Sequence, residues 1–369
     1  MSHVLAIIGA SSGQRPVYLK ARELGFRTIG FAWEEGALCR DLADRFYPIS
    51  ITDTDRIVDI CRREGVSGVV SNGSDFTAEA VSKISSSLGL PGVPYDSFLT
   101  IKDKFTVREL TSEIPGLSSP WSYLYEGQNP PSFPCVVKPC VGSAKKGVCY
   151  AADTAGFQAA IQYAREHAEG SILVEEYIHG QEVSVESLSF RGRHDIVQIT
   201  DKDTSGPPHF VEIGHHQPSR IPAAAQNQII DIVKRLLTLL HYDYGASHIE
   251  LKLSADGKVF LIEMNPRGGG DEIANQLVPL STGVDYIASI IQVAVGQYES
   301  PEIRTVAYAG IYYLCGQTAH LLPFFAHADG KPWLVNKVIL DGTIGEATTN
   351  YNRNGYLIYV SDHRVTATD

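Results

Sequence analysis

The chain of 369 residues has no apolar run of membrane-spanning length, and its six cysteines show no CxxC spacing. It has no excess of positive charge either, because 31 Lys and Arg stand against 42 Asp and Glu, a net charge of −11. These absences argue against a membrane span and against nucleic acid as the main partner, since phosphate backbones select basic surfaces. The start, SHVLAIIGA, is typical of a buried strand and not of a signal peptide. We expect a cytoplasmic protein with reduced cysteines in its core and no membrane partner.

Two familiar glycine-rich nucleotide-binding motifs are also missing. The loop GASSGQ at 9–14 does not match GxGxxG, and no acidic residue stands at a convincing ribose position. A second small loop, at 141–147, is followed by a strand pattern, whereas a Walker A loop needs a helix there. A dinucleotide-dependent oxidoreductase is therefore the least favoured interpretation.

The length and the element pattern predict more than one domain. Residues 1–95 alternate short apolar runs with helical patterns, which is typical of a doubly wound parallel α/β sheet. Ligands of such sheets bind beyond the carboxyl ends of the strands, here near 9–14 and 71–76. Residues 96–300 carry strands flanked by helices and predict an α+β unit, and residues 301–369 predict a small β-rich region.

A predicted hairpin brings two carboxylates together. Two runs of alternating apolar and polar residues flank Asp256-Gly257, the strongest short-range signal for a two-residue turn. Such a turn pairs Ala255 with Lys258 and places Glu250 directly opposite Glu263. The same register predicts a core face made of Ile249, Leu251, Leu253, Phe260, Ile262 and Met264.

The facing carboxylates predict a cation site. Two like charges directly opposite on a strand pair repel each other, and Mg2+ removes that penalty by binding carboxylate and phosphate oxygens. Arg267 follows as a fixed positive fork for a phosphate or carboxylate, and the glycines at 268–270 indicate close approach of a ligand. A hairpin whose polar face only meets water is the alternative, and the NPRGGG tail argues against it.

Residues suited to a nucleotide lie upstream of the hairpin. Lys138 ends the apolar run PCVVKP, where a lysine either snorkels to water or meets an anion. The basic loop at 141–147 can offer backbone N–H groups to phosphates. The predicted strand that runs into 175–178 (EEYI) would expose backbone groups beside apolar side chains, which suits adenine, and Glu182 follows at a place suited to ribose hydroxyls.

Taken in order, these motifs resemble the ATP-grasp superfamily of carboxylate–amine (or thiol) ligases over about residues 103–271. The branch that they resemble holds carbamoyl-phosphate synthetase, biotin carboxylase and the L-amino-acid ligases. The resemblance implies an ATP-grasp fold with a lid subdomain at about 115–180, ATP and Mg2+ (or Mn2+) as cofactors, and small-molecule carboxylate and amine substrates. Such ligases are often homodimers, although the sequence leaves the oligomeric state open.

The resemblance also assigns roles to matching positions. The implied site residues are, for ATP, Lys104, Lys138, Ser143, Lys145, Glu175, Glu176, Tyr177, Ile178, Glu182 and His216; for the metal, Glu250, Glu263 and Asn265; and for catalysis, Arg267 and Lys138. The flap departs from the family at Ala144-Lys145-Lys146, where glycine and serine are usual. His215-His216 is equally consistent with a plain surface pair, and Glu186 shares a predicted strand face with Glu182.

The implied activity is an ATP-dependent ligase that forms an amide or peptide bond through an acyl phosphate, on amino-acid-like substrates. Another ATP-grasp enzyme that uses bicarbonate or a nucleotide precursor is the main alternative, and a catalytically silent ATP-binding protein is a second. Because water would hydrolyse an acyl phosphate, a closing segment is expected. The candidates are 142–147 and 201–210.

Overall fold

The computed structural model describes residues 3–142, 145–340 and 342–368. Within these ranges the strands are β1 (Val4–Ile8), β2 (Arg27–Ala32), β3 (Arg45–Pro48), β4 (Val66–Val70), β5 (Leu117–Ser118), β6 (Ser122–Leu124), β7 (Cys135–Pro139), β8 (Cys149–Ala151), β9 (Ile172–Glu176), β10 (Gln181–Phe190), β11 (Arg193–Thr204), β12 (Glu212–Gln217), β13 (Tyr244–Leu253), β14 (Val259–Asn265), β15 (Tyr308–Leu314), β16 (Leu334–Ile339) and β17 (Gly355–Ser361).

The α-helices of the described ranges are α1 (Arg15–Glu23), α2 (Thr54–Glu64), α3 (Asp75–Leu88), α4 (Tyr95–Lys102), α5 (Lys104–Thr111), α6 (Thr154–His167), α7 (Ala223–Leu239), α8 (Val278–Thr282), α9 (Tyr286–Ala294) and α10 (Leu322–His327). A π-helical turn, Ile273–Leu277, leads into α8. No single helix in these ranges is long and apolar enough to cross a membrane, although the bent pair 273–282 and 286–294 would pass that test together by length and composition.

The first sheet is formed by four parallel strands in the order β3-β2-β1-β4. β1 is buried along its whole length because both faces of the sheet are covered. Helices α2 and α3 cover one face, whereas α1 and the later helix α9 cover the other. This arrangement confirms the predicted doubly wound α/β unit.

The second sheet has nine strands among the described residues, in the order β16-β17-β15-β12-β11-β10-β13-β14-β5. Its core on one face includes α4, α5 and α7, and its other face packs on α8 and α9. Because α9 also packs on the first sheet, it joins the two sheets. The strands predicted for the C-terminal region, β15 to β17, extend this same sheet beyond β12.

A third, smaller sheet is antiparallel in the order β6-β9-β7-β8, and α6 packs on its apolar face. It lies within the range 115–180 expected for the lid subdomain. The six cysteines of the chain are all free, and five of them are buried, as expected for small core residues.

Candidate active site

The turn of the β13–β14 hairpin differs from the prediction. Ser254 and Lys258 close a three-residue loop, with the Ser254 N–H donating to the Lys258 carbonyl at 2.9 Å, and Gly257 adopts a φ of +82°. Next to the loop, Leu253 therefore faces Val259. The predicted two-residue turn is wrong, and the strand register near the turn is shifted by one residue.

The shift changes which apolar residues enter the core. Val259 and Leu261 are buried, whereas Phe260 and Ile262 are only half-buried. The predicted core positions of Phe260 and Ile262 are therefore wrong. One residue of slip exchanges the two faces of a strand, because side chains alternate with a period of two.

A β-bulge at Ile262 restores the register further along the hairpin. Leu251 faces Leu261 but Glu250 faces Glu263, so the bulge leaves Ile262 without a strand partner. The carbonyl of Ile262 instead accepts a hydrogen bond from Arg108 Nη2 at 2.9 Å. The predicted pairing of the two glutamates is confirmed, although the compensating bulge was not predicted.

Two buried or half-buried lysines face the glutamate pair. Lys104 Nζ lies 3.1 Å from Glu263, and Lys202 Nζ lies 2.7 Å from Glu250. Lys202 also lies 3.2 Å from Glu212 and 3.5 Å from Glu182, and its side chain is 1% exposed. Burial alone would raise the pKa of Glu250, but Lys202 and its neighbouring histidine hold that pKa well below the usual range. The site therefore keeps ionised carboxylates and an excess of negative charge.

That histidine, His248, bridges two carboxylates. Its Nδ1 contacts Glu186, and its Nε2 lies 3.2 Å from Glu250 Oε1. Burial alone would lower the pKa of His248, but Glu186 and Glu250 raise it to about 9. Each ring nitrogen of His248 therefore faces one carboxylate oxygen.

Lys138 and Glu175, both predicted to contact ATP, meet in the core of the small sheet. Lys138 pairs with Glu175, and Arg108 Nε donates to Glu175 at 3.1 Å. Burial alone would raise the pKa of Glu175, but the charges of Arg108 and Lys138 lower it. The Glu175 side chain is thus part of an internal ion triad, and its predicted contact with the nucleotide stays a prediction that concerns its backbone.

The residues that follow Glu175 lie beside a cluster of aromatic side chains. The Tyr177 ring lies 5.0 Å from the Tyr150 ring and 6.0 Å from the Phe210 ring, measured between centroids. Lys252 Nζ lies 5.0 Å from the Tyr177 centroid and donates to the Ile178 carbonyl at 3.3 Å. The half-buried Glu176 precedes Tyr177. Flat apolar faces beside backbone groups suit a purine base.

The two candidate closing segments contact each other. Lys145, with a φ of 58°, donates from Nζ to the Phe210 carbonyl at 2.6 Å and lies 3.3 Å from Glu212. Lys104 Nζ donates to the Gly142 carbonyl at 3.2 Å. Ser143, also predicted to contact ATP, lies outside the described residues.

The two adjacent histidines of β12 point to opposite faces of the sheet. His216 lies 3.2 Å from Asp203 and 3.0 Å from the Tyr359 hydroxyl, away from the other predicted site residues. His215 lies on the side of the glutamate pair, 3.5 Å from Glu212 and 3.6 Å from Asp271. His216 therefore lies on the face opposite to His215, because consecutive side chains of a strand alternate between faces, and its predicted contact with ATP stays a prediction.

His215 belongs to a charged pocket that the sequence did not reveal. Burial alone would lower its pKa, but Asp271 and Glu212 raise it. Arg353 holds Asp271 with two hydrogen bonds of 2.9 and 2.8 Å, and its guanidinium lies 3.5 Å from the Tyr313 ring. Arg353 and Glu212 belong to none of the motifs recognised in the sequence. Lys202 gave no clear signal either, because it stands between Asp201 and Asp203 at the polar end of β11.

Arg267 lies where the first sheet meets the hairpin. Its Nε donates to Asp75 at 2.7 Å, and Asp75 opens α3 directly after the loop at 71–76. Asn265, two residues before Arg267, is buried and faces His248 across the strand pair. Arg267 thus lies beside the segment that follows the carboxyl end of β4.

Comparison with known protein families identifies one domain of the chain. Residues 131–276 match the ATP-grasp domain family. This part of the chain is an ATP-grasp domain. The predicted resemblance is confirmed at this level, while the roles of single residues stay predictions.

Proteins similar to this chain have different functions in their names. The uncharacterized protein y4rH of Sinorhizobium fredii is 28% identical over 265 residues, which are 68% of this chain and 54% of that protein, so the chain spans about half of it. A formate-dependent phosphoribosylglycinamide formyltransferase of Methanocaldococcus jannaschii is 24% identical over 282 residues, 71% of this chain and 69% of that enzyme. The crystal structure of an L-amino acid ligase from Bacillus licheniformis matches with a TM-score of 0.79 at 21% identity, covering 98% of this chain and 94% of that one.

Proposed function

We propose that this protein is an ATP-dependent carboxylate–amine ligase that forms an amide or peptide bond between amino-acid-like substrates through an acyl phosphate. The observation that carries the proposal is the pair Glu250 and Glu263, facing each other on neighbouring strands with Lys104 3.1 Å from Glu263. Carboxylates, lysine and the nearby Arg267 are the residue types that phosphoryl transfer requires.

The donor set fits Mg2+ or Mn2+. Glu250, Glu263 and Asn265 offer oxygen atoms from adjacent positions of β13 and β14, and oxygen donors are what such hard cations prefer. When bound, the ion would neutralise phosphate charge and orient ATP for transfer. Lys202 lies among three carboxylates, so it can stay paired with Glu182 and Glu212 while Glu250 takes the ion.

Positively charged groups border this site on two sides. Lys104 links the flap carbonyl of Gly142 to Glu263, so it would contact the ATP phosphates beneath the flap. Lys138, deeper in the small sheet, would add charge from the side of the nucleotide. Arg267, held by Asp75, would bind the substrate carboxylate and then steady the acyl phosphate.

The charged pocket supports an amino-acid-like substrate. Glu212 and Asp271 are carboxylates that converge on buried His215, and a substrate ammonium group is a suitable partner for such carboxylates. An amino acid carries both a carboxylate for Arg267 and an ammonium group for this pocket.

Exclusion of water is the purpose that the two closing segments would serve. The contact of Lys145 with Phe210 joins the flap to the segment 201–210. An acyl phosphate beneath this contact would be protected from hydrolysis until the amine attacks.

The second candidate is an ATP-grasp enzyme that activates bicarbonate, formate or a nucleotide precursor. The likeness to the formate-dependent phosphoribosylglycinamide formyltransferase over 71% of this chain favours it. The L-amino acid ligase structure covers 98% of this chain, but a phosphoribosylglycinamide synthetase and an N5-carboxyaminoimidazole ribonucleotide synthetase cover the same share, so the fold is compatible with both candidates.

A phosphate-release screen distinguishes these functions. Purified protein with Mg-ATP is offered pairs of amino acids, then single amino acids with small amines, and separately bicarbonate or formate with purine precursors. Release of ADP and phosphate only with amino-acid pairs, with a condensed product seen by mass spectrometry, supports the ligase. Turnover only with the second set supports the alternative, and tight ATP binding without turnover in any arm would contradict both.

A further inference from the structure

A buried hydrogen-bonded chain runs away from the metal carboxylate Glu250. Glu186 on β10 lies directly opposite His248 on β13, and both side chains are buried. His248 is hydrogen-bonded to Glu186 through Nδ1 and to Glu250 through Nε2, the latter at 3.2 Å. The imidazole thus fixes the orientation of a carboxylate that the proposed function assigns to the metal.

The same chain ends on the glycine loop after Arg267. Glu186 Oε2 accepts the backbone N–H of Gly269 at 2.9 Å. A Cβ added at Gly269 would lie 2.8 Å from Glu186 Oε1 and 2.9 Å from His248 Nδ1, closer than side chains tolerate. Gly269 is therefore required by its contact with this pair, whereas a Cβ at Gly270 would meet open space.

Both ends of this hydrogen-bonded chain of side chains belong to the proposed site. One end is the carboxylate Glu250, and the other is the loop that directly follows Arg267, the residue proposed to bind the substrate carboxylate. The Glu186 carboxylate is hydrogen-bonded to His248 through one oxygen and to the backbone N–H of Gly269 through the other. It can affect the predicted metal carboxylates through His248 and through the loop backbone.

We propose that Glu186 and His248 are a positioning pair that couples the orientation of the metal carboxylate Glu250 to the glycine loop beside Arg267. Partners in this position orient a metal ligand and commonly change metal affinity 10- to 100-fold when replaced. This inference rests on the proposed metal site, but it does not depend on which substrates the enzyme joins.

The test measures metal affinity directly, by the electron paramagnetic resonance signal of free Mn2+ titrated with protein and ADP. Glu186→Gln and His248→Gln should each weaken Mn2+ binding by roughly 10- to 100-fold. The double variant should lose no more than the weaker-binding single variant, because both substitutions break the same chain. Wild-type Mn2+ affinity in Glu186→Gln, or losses that multiply in the double variant, would overturn the coupling.

A second pair of variants perturbs the hydrogen-bonded chain at its glycine-loop end. These variants keep the proposal testable if Glu186→Gln or His248→Gln fails to fold. Gly269→Ala places a methyl group against Glu186 and His248, so it should weaken Mn2+ binding although it changes no proposed ligand. Gly270→Ala is the matched control, and its Mn2+ affinity should equal that of wild type. Equal affinity in both alanine variants would contradict the proposal.

The design separates this inference from the ligase proposal. Failure to bind Mn2+ in the wild-type protein would remove the metal site and the proposed function with it. Normal Mn2+ binding in the wild type with no effect of Glu186→Gln or Gly269→Ala would remove only the positioning pair. Once a substrate is known, the same variants should raise the KM for the carboxylate more than they lower kcat.

Discussion

Glu175 lies between Arg108 and Lys138, and all three side chains are at most 7% exposed. At 3.1 Å the Coulomb attraction of Arg108 and Glu175 is about 5 kcal/mol for an effective dielectric constant of roughly 20. Replacing Glu175 by Gln keeps the shape but leaves two buried cations facing each other. Loss of one partner from a buried ion pair costs about 3–5 kcal/mol, and we expect that loss of unfolding free energy.

Urea unfolding followed by circular dichroism measures this loss. For an m-value of about 2.5 kcal/mol/M, the Glu175→Gln midpoint should fall by about 1 to 2 M. Glu169→Gln, an exposed change in the same subdomain, is the control and should stay within about 0.5 kcal/mol of wild type. If the Glu175 variant were as stable as that control, the buried triad would not stabilise the small sheet.

The pH dependence gives a second check with a fixed sign. The folded-state pKa of Glu175 is lowered from 4.5, so its contribution is present above that pH and is lost as pH falls through the lowered value. The stability gap between wild type and Glu175→Gln should therefore be constant from pH 6 to 8 and narrow below pH 4.5. If the difference in unfolding free energy between wild type and Glu175→Gln instead narrowed as the pH rose above 6, Glu175 would not be the ionised partner of Arg108 and Lys138.

Glu263→Gln should abolish Mg2+-dependent turnover and keep the wild-type circular dichroism spectrum, because its side chain faces a lysine and ligand space; normal turnover would show that the metal assignment is wrong. His215→Gln should lower turnover more than stability. His216→Gln should cost about 1–3 kcal/mol of stability, because the buried His216 ring is hydrogen-bonded to the buried Tyr359 on the opposite face of the sheet. If His216→Gln lowered turnover more and His215→Gln lowered the urea midpoint more, the placement of His215 beside the site and of His216 on the other face would be contradicted. Arg353→Met should leave Asp271 without its bidentate partner, which we expect to cost about 1–3 kcal/mol and to raise substrate KM; unchanged midpoint and KM would argue against the pocket.

The main site could be predicted because strand periodicity is local. Alternation around Asp256-Gly257 placed Glu250 and Glu263 on the polar face and near each other, and only proximity was needed to suggest a cation. The prediction that Glu250 faces Glu263 is correct although the predicted turn is wrong, because the bulge at Ile262 cancels the one-residue shift in register. That compensation depends on Arg108, which is 154 positions away along the chain and could not be read from the hairpin itself.

The sequence by itself determined the doubly wound first sheet, the order of the nucleotide and metal motifs, and the family that they resemble. Only the tertiary structure decided which face of β12 meets the site, because both of its histidines are buried and alternation cannot tell one buried face from the other. The tertiary structure also decided that Lys202 pairs with Glu250 and that Arg353 pairs with Asp271. Charged residues that are distant in the sequence become partners only when their segments lie side by side. Local patterns are set by the repeat of the backbone, whereas these contacts depend on which distant strands lie side by side.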